Sequence, residues 1–192
     1  MKPYYQDASV TIYHGDCREV LPVVPCDATV CITDPPYAET ALVWDKWPDG
    51  WPSALPAMIN SMWCFGSLAM FFDRRADFRG WSHAQEIVWE KHNGSSLAND
   101  RFRRVHEFAV HWYRGAWSGV HKEPQFANDA QKRVVRKKWK PQHWGETAPQ
   151  TYTSKDGGPR MMRTVIAVRS CHGTALHPTQ KPVGILTPLI SY

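Results

Sequence analysis

Long apolar runs are missing from this sequence. No stretch approaches the roughly 18 apolar residues that a membrane-spanning helix needs. The N-terminus, from Met1 to Asp7, lacks the apolar core of a secretory signal, so none is expected. Cysteine is sparse and unpatterned. The five cysteines (Cys17, Cys26, Cys31, Cys64, Cys171) are odd in number and lack the spacing of a disulfide framework. Free thiols in a soluble, cytoplasmic protein are the expectation. No Gly-x-Gly occurs anywhere in the 192 residues, so the usual glycine-rich nucleotide loop is not encoded in them. Internal repeats and low-complexity tracts are absent too. What is there is ordinary for a packed domain: 43% hydrophobic and 21% charged residues argue against global disorder.

The net charge of +5 is unevenly spread. Residues 1–113 hold 10 Lys/Arg against 14 Asp/Glu, residues 114–160 hold 10 against 4, and residues 161–192 hold 3 against none. A basic segment inside an otherwise acidic chain is the footprint of a polyanion binder. A solvated, charged surface loop is the bland alternative. The division expected is a catalytic α/β region at 1–113, a separate basic region at 114–160, and a return to the first region at 161–192.

The pattern predicts strands at Val10–Tyr13, Thr29–Thr33, Ser67–Phe72, Glu86–Trp89, Glu107–Trp112 and Arg163–Val168. Helices are expected at Arg18–Leu21, Pro52–Trp63, Arg75–Trp81 and Pro182–Ile190. The apolar, β-branched run Thr29–Thr33 reads as a strand buried on both faces of a largely parallel sheet. Strands alternating with helices indicate an α/β fold.

Asp34-Pro35-Pro36-Tyr37 follows that strand, where ligand sites of open α/β sheets lie. A nucleobase amino group is a poor nucleophile because its lone pair is delocalised into the ring. Two acceptors on its two N–H groups can localise that pair. Asp34 offers a carboxylate, and the Pro35 carbonyl offers the second acceptor. Pro36 keeps Pro35 extended and so fixes that carbonyl. Tyr37 can stack on a base flipped out of the duplex. Taken alone, the four residues also fit a plain Asp-Pro-Pro turn with a surface tyrosine.

The surrounding motifs resemble the DNA amino-methyltransferases, in the permuted arrangement with the catalytic motif near the N-terminus. The resemblance spans nearly the whole chain. It rests on Ile12-Tyr13-His14-Gly15-Asp16-Cys17 with Val20-Leu21, and on Asp34 to Tyr37. It continues through Val88-Trp89-Glu90-Lys91 with Asn93, Arg101 to Arg104 and His106-Glu107-Phe108. The most specific match is His177-Pro178-Thr179-Gln180-Lys181-Pro182-Val183.

The resemblance implies an incomplete class I S-adenosylmethionine-dependent methyltransferase sheet (Rossmann-like) with a basic target-recognition insert. It implies methylation of an exocyclic amino group in double-stranded DNA, adenine N6 favoured over cytosine N4 because adenine members more often begin the tetrapeptide with Asp. Restriction-modification is the implied setting. Asp34, Pro35, Pro36 and Tyr37 would be catalytic, and Asp16, Cys17, Thr179, Gln180 and Lys181 would bind S-adenosylmethionine. The Thr179-Gln180 pair sits ahead of an expected helix start, which favours a carboxylate; Thr179 also reads as a simple N-cap. Lys132, Arg133, Arg136, Lys137, Lys138, Lys140 and Arg160 would meet DNA, with Gly157-Gly158 allowing close backbone approach. The alternatives are a truncated, non-catalytic DNA-binding fragment and an RNA or protein methyltransferase.

The family's glycine-rich cofactor loop normally follows the Thr-Gln-Lys-Pro helix, and the sequence ends at Tyr192, inside the expected helix. A fragment of a longer protein is the favoured explanation; a natural truncation or a second chain completing the sheet are the others, and a dimer fits as well. The Thr29–Thr33 edge would otherwise stay unpaired. His92-Asn93 as a nuclease pair, and Cys171, His172 and His177 as zinc ligands, are set aside for want of a ligand set. Trp44 and Trp47 are the tryptophans expected to meet substrate.

Overall fold

A computed structural model describes residues 1–25, 27–95, 99–137 and 150–192. Two compact units emerge: Met1–His121 with Thr164–Ile190, and Lys122–Arg163 with Ser191–Tyr192.

The first unit begins with an exposed hairpin of β1 (Tyr5–Gln6) and β2 (Thr11–Ile12), paired antiparallel. The expected Val10–Tyr13 strand is thus shorter and stands outside the main sheet. Helix α1 (Cys17–Val20) is one turn long, and β3 (Val30–Thr33) leads to the tetrapeptide. Strand β3 is only half-buried, with Val30 exposed, so the expectation of burial on both faces fails. Among the described residues it pairs on one side only.

The segment 51–73 reverses the expected assignment. Helix α2 (Trp51–Ala54) stops after four residues because Leu55 is extended ahead of Pro56. The next run, β4 (Ser61–Gly66), is a strand buried at every position. Helix α3 (Leu68–Asp73) replaces the predicted strand, capped by Ser67, whose Oγ accepts from the Met70 N–H at 3.0 Å. Short apolar runs carry no decisive period, and sheet position settled the matter. A central strand between two neighbours loses water on both faces; the helix has only Met70 fully inside. A 3-10 turn at Arg75–Phe78 follows.

Strands β5 (Ser82–Ser95) and β6 (Arg104–Tyr113) are long and antiparallel. In the second unit, β7 (Phe126–Ala127) and β8 (Arg133–Lys137) precede β9 (Gln150–Ser154) and β10 (Arg160–Met161). There β8 pairs with β9, and β10 with β7, both antiparallel. The chain re-enters the first unit at β11 (Val165–Ala167) and α4 (Val183–Ile190).

The main sheet has the order β11-β5-β6-β4-β3. Its outer pairs are parallel and its inner pairs antiparallel, so it is mixed rather than largely parallel. One aromatic-rich cluster packs against it, built on Trp47, Trp51, Met62, Met70, Phe78 and Trp81. Fully burying a side chain of this size stabilises by roughly 1.5–3 kcal/mol. Trp47 belongs here, its Nε1 donating to Asp77 at 2.5 Å, and not to a substrate surface. Among the described residues, no helix is long and apolar enough to cross a membrane.

Candidate active site

Asp34 leaves the sheet at the C-terminal end of β3, and both its carboxylate oxygens are engaged. The Tyr37 hydroxyl donates to Oδ1 at 2.8 Å, and Lys181 Nζ donates to Oδ2 at 2.7 Å. Lys181 lies in the loop entering α4, where Pro182 favours an extended backbone. Its Nζ also stands 3.3 Å from Glu107 Oε2 on β6. Glu107 Oε1 accepts from Lys91 Nζ on β5 at 2.5 Å. Charges of alternating sign therefore run from Lys91 through Glu107 and Lys181 to Asp34. Strand register explains the first step: Glu107 faces Trp89, and Lys91, two residues on, is its diagonal neighbour on the same face. The rings of Phe65 and Tyr37 lie 5.3 and 5.6 Å from Lys181 Nζ, in cation–π range.

Burial pushes the Glu107 carboxyl up, but Lys181 and Lys91 outweigh it and hold the group below its ordinary value. Burial, then the charges of Asp34 and Glu107, push the Tyr37 phenol far above its ordinary value. Tyr37 therefore stays a neutral hydrogen-bond donor.

The loop after Tyr37 turns around Asp45, which is buried. Oδ1 accepts from the Ala38 N–H at 2.8 Å; Oδ2 accepts from the N–H groups of Glu39 and Thr40 at 3.1 and 2.8 Å and from Thr40 Oγ1 at 2.7 Å. Ala38 has φ 59°, a left-handed conformation unusual for a non-glycine residue.

A cavity of about 900 Å³ opens over these groups. The tetrapeptide, Trp44, Asp45, Trp89, Lys91 and Glu107 line one part, and residues 170–181 supply another. This volume is ample for a flipped base and the methyl-bearing end of a donor.

Thr179, Gln180 and Lys181 all line the cavity. Thr179 does not cap α4, which begins only at Val183. Instead Thr179 Oγ1 sits 3.1 Å from His177 Nδ1, and Gln180 Oε1 accepts from the Leu176 N–H at 2.8 Å. Asp16 and Cys17 lie outside the lining. Asp16 caps α1 and binds Arg18, whose side chain and then backbone hydrogen bonds bring its carboxyl down to about 2. Cys17 packs against the aromatic-rich cluster. His92 and Asn93 hold the loop after β11, accepting from the Ser170 N–H at 3.3 Å and the Ser170 hydroxyl at 2.8 Å.

Glu107 and Lys91 lie in motifs of the chain whose residue types alone assign them no role. The signal was present. Strand alternation puts Glu107 in line with Ala109 and His111, both fully buried, and a carboxylate there requires a partner.

In the second unit, Lys132, Arg133 and Arg136 are exposed. Alternation along β8 sends Arg133 and Arg136 to opposite faces. The Lys137 backbone pairs with Gln150; Lys138 and Lys140 lie outside the described residues. Arg160 is already engaged, its Nε donating to Asp129 at 2.9 Å.

The family model of the N6/N4 methyltransferases, described as DNA methylase, matches residues 28–192. The chain belongs to this family. The methyl donor of this family is S-adenosylmethionine. Two solved structures resemble it in part. The crystal structure of the M1.HpyAVI–SAM complex is 22% identical, covering 93% of this chain and 74% of that one, with a TM-score of 0.48. The crystal structure of M1.HpyAVI is 19% identical, covering 93% and 73%, also at 0.48. No curated protein sequence matches.

Proposed function

We propose that this DNA methylase moves a methyl group from S-adenosylmethionine to N6 of adenine in double-stranded DNA, in preference to N4 of cytosine. The observation that supports it is the Asp34 carboxylate, about one-third exposed, lining the cavity beside the Tyr37 ring. Bound S-adenosylmethionine supplies an electrophilic methyl group. Thr179 and Gln180 would hold its amino-acid end.

Asp34 accepts one amino N–H and the Pro35 carbonyl accepts the other, which localises the nitrogen lone pair. Oδ1 already receives the Tyr37 hydroxyl, but a carboxylate oxygen has room for a second donor. As the N–C bond forms, the nitrogen sheds one proton, and Asp34, open to solvent on one side, is placed to receive it. Tyr37 and the half-exposed Trp44 flank the flipped base with aromatic faces. The face of β8 that meets DNA, carrying either Arg133 or Arg136, neutralises phosphates, which sets affinity rather than sequence. The basic hairpin supports nucleic acid as substrate, and cytoplasmic DNA is the substrate proposed.

The test is nucleoside analysis of DNA exposed to the enzyme. N6-methyladenine is expected; N4-methylcytosine alone would overturn the base assignment, and no methylated base would overturn the activity. Asp34→Ala should lower the rate by about 10³-fold, within the range of lost acid–base groups, with DNA affinity kept. Retained methylation would remove Asp34 from the mechanism.

A further inference from the structure

We infer that Lys181 is a positioning residue for Asp34, locked by Glu107 and Lys91, and not a ligand of the methyl donor's carboxylate. The inference rests on the reading of Asp34 as the acceptor for the target amine. Lys181 reaches Asp34 from a loop that stands 147 positions away in the sequence. Its side chain is only 9% exposed although it lines the cavity. An ammonium has three N–H directions. One goes to Asp34 Oδ2 at 2.7 Å, Glu107 Oε2 stands 3.3 Å away as an ion-pair partner, and the ring faces of Phe65 and Tyr37 flank the ammonium. Two carboxylates and two rings already surround the ammonium, which leaves little room for a third carboxylate.

The charges lead to the same assignment. Lys91, Glu107, Lys181 and Asp34 balance one another, so Lys181 is already neutralised by Asp34 and Glu107 and has no charge left uncompensated for a donor carboxylate. Without Lys181, the Asp34 and Glu107 carboxylates would share one wall with no cation between them, and Asp34 would turn away toward solvent. Lys91 restrains Glu107 at 2.5 Å, so Glu107 is a fixed post for Lys181 rather than a mobile one. With Oδ2 taken by Lys181, Oδ1 is the oxygen that the target amine meets, on the side where Tyr37 stands. Lys181 thereby decides which edge of Asp34 faces the base.

The test compares Lys181→Met, Lys181→Arg, Glu107→Gln and the double variant Lys181→Met/Glu107→Gln. Steady-state methylation of duplex DNA and calorimetric titration with S-adenosylmethionine are the readouts. Lys181→Met should lose about 10²-fold in kcat, the loss expected from a misplaced reacting group. KM and Kd for S-adenosylmethionine should stay within about twofold of wild type, as for loss of an interaction made only in the transition state. Lys181→Arg should recover part of the rate. Glu107→Gln should also lose kcat, and the double variant should be no worse than Lys181→Met, as residues acting as one unit behave. A rise in KM and Kd with kcat kept would make Lys181 a donor ligand and overturn the inference. Additive losses would overturn the Glu107 link. Should the wild-type protein methylate no DNA, the proposed function fails by itself. Urea unfolding of the same four proteins still decides the link: the midpoint shift of Glu107→Gln should shrink in the Lys181→Met background, and an unchanged shift would refute it.

Discussion

Asp45→Asn should destabilise the first unit by about 3 kcal/mol. In the native loop, Asp45 Oδ2 takes three donors and Oδ1 takes the Ala38 N–H. An asparagine keeps one accepting oxygen, and the best fit gives it to the Oδ2 position. Its NH2 group then opposes the Ala38 N–H, leaving an orphan donor worth about 1–3 kcal/mol. The three remaining bonds change from charge-assisted to neutral, which costs about another 1 kcal/mol in a partly buried site. Ala38 at φ 59° adds strain that the Asp45 cage helps to hold. For a chain of this size, 3 kcal/mol corresponds to a fall in Tm of about 6–12 °C. Calorimetry at pH 7 measures it directly.

The pH dependence gives a second reading of the same residue. Burial pushes the Asp45 carboxyl up, but hydrogen bonds from Thr40, Ala38 and Glu39 outweigh this and hold it below its unfolded value of 3.8. Its contribution is therefore complete well above pH 3.8, and is lost as pH falls through the lower folded value. The gap between wild type and Asp45→Asn should be constant from pH 6 to 8 and should narrow below pH 3.8. A Tm difference under about 2 °C at pH 7, or a gap that widens in acid, would refute the cage as described.

Two further outcomes follow from the same geometry. Ser67→Ala removes the cap of α3 and the hydrogen bond to Glu39, and should cost about 1 kcal/mol in urea unfolding. Arg133→Ala and Arg136→Ala each remove a charge of the basic hairpin. If only one face of β8 meets DNA, one of the two should reduce the salt slope of DNA binding by about 1 and the other should leave it unchanged.

The acceptor geometry of the tetrapeptide was legible in the sequence by itself, because proline geometry and carboxylate acceptor capacity are local properties. Pro36 constrains Pro35 whatever surrounds it. The sequence also located β5, β6, β11 and α4 approximately, since long β-branched and aromatic runs and a proline-led helix start are local signals. It misread residues 51–73, where Pro56 argued against a long helix and Ser67 marked a helix start. Short runs such as Ser61–Gly66 suit either state until the sheet claims one of them.

Only the tertiary structure decided what surrounds Asp34. Lys91, Glu107 and Lys181 come from two strands and a distant loop, and the motifs that hold them do not record that the three meet at Asp34. Strand order sets Glu107 beside Lys91, and the return of the chain through β11 delivers Lys181 to both carboxylates. A buried charge must find its partner through space, and no spacing along the chain records which partner it finds.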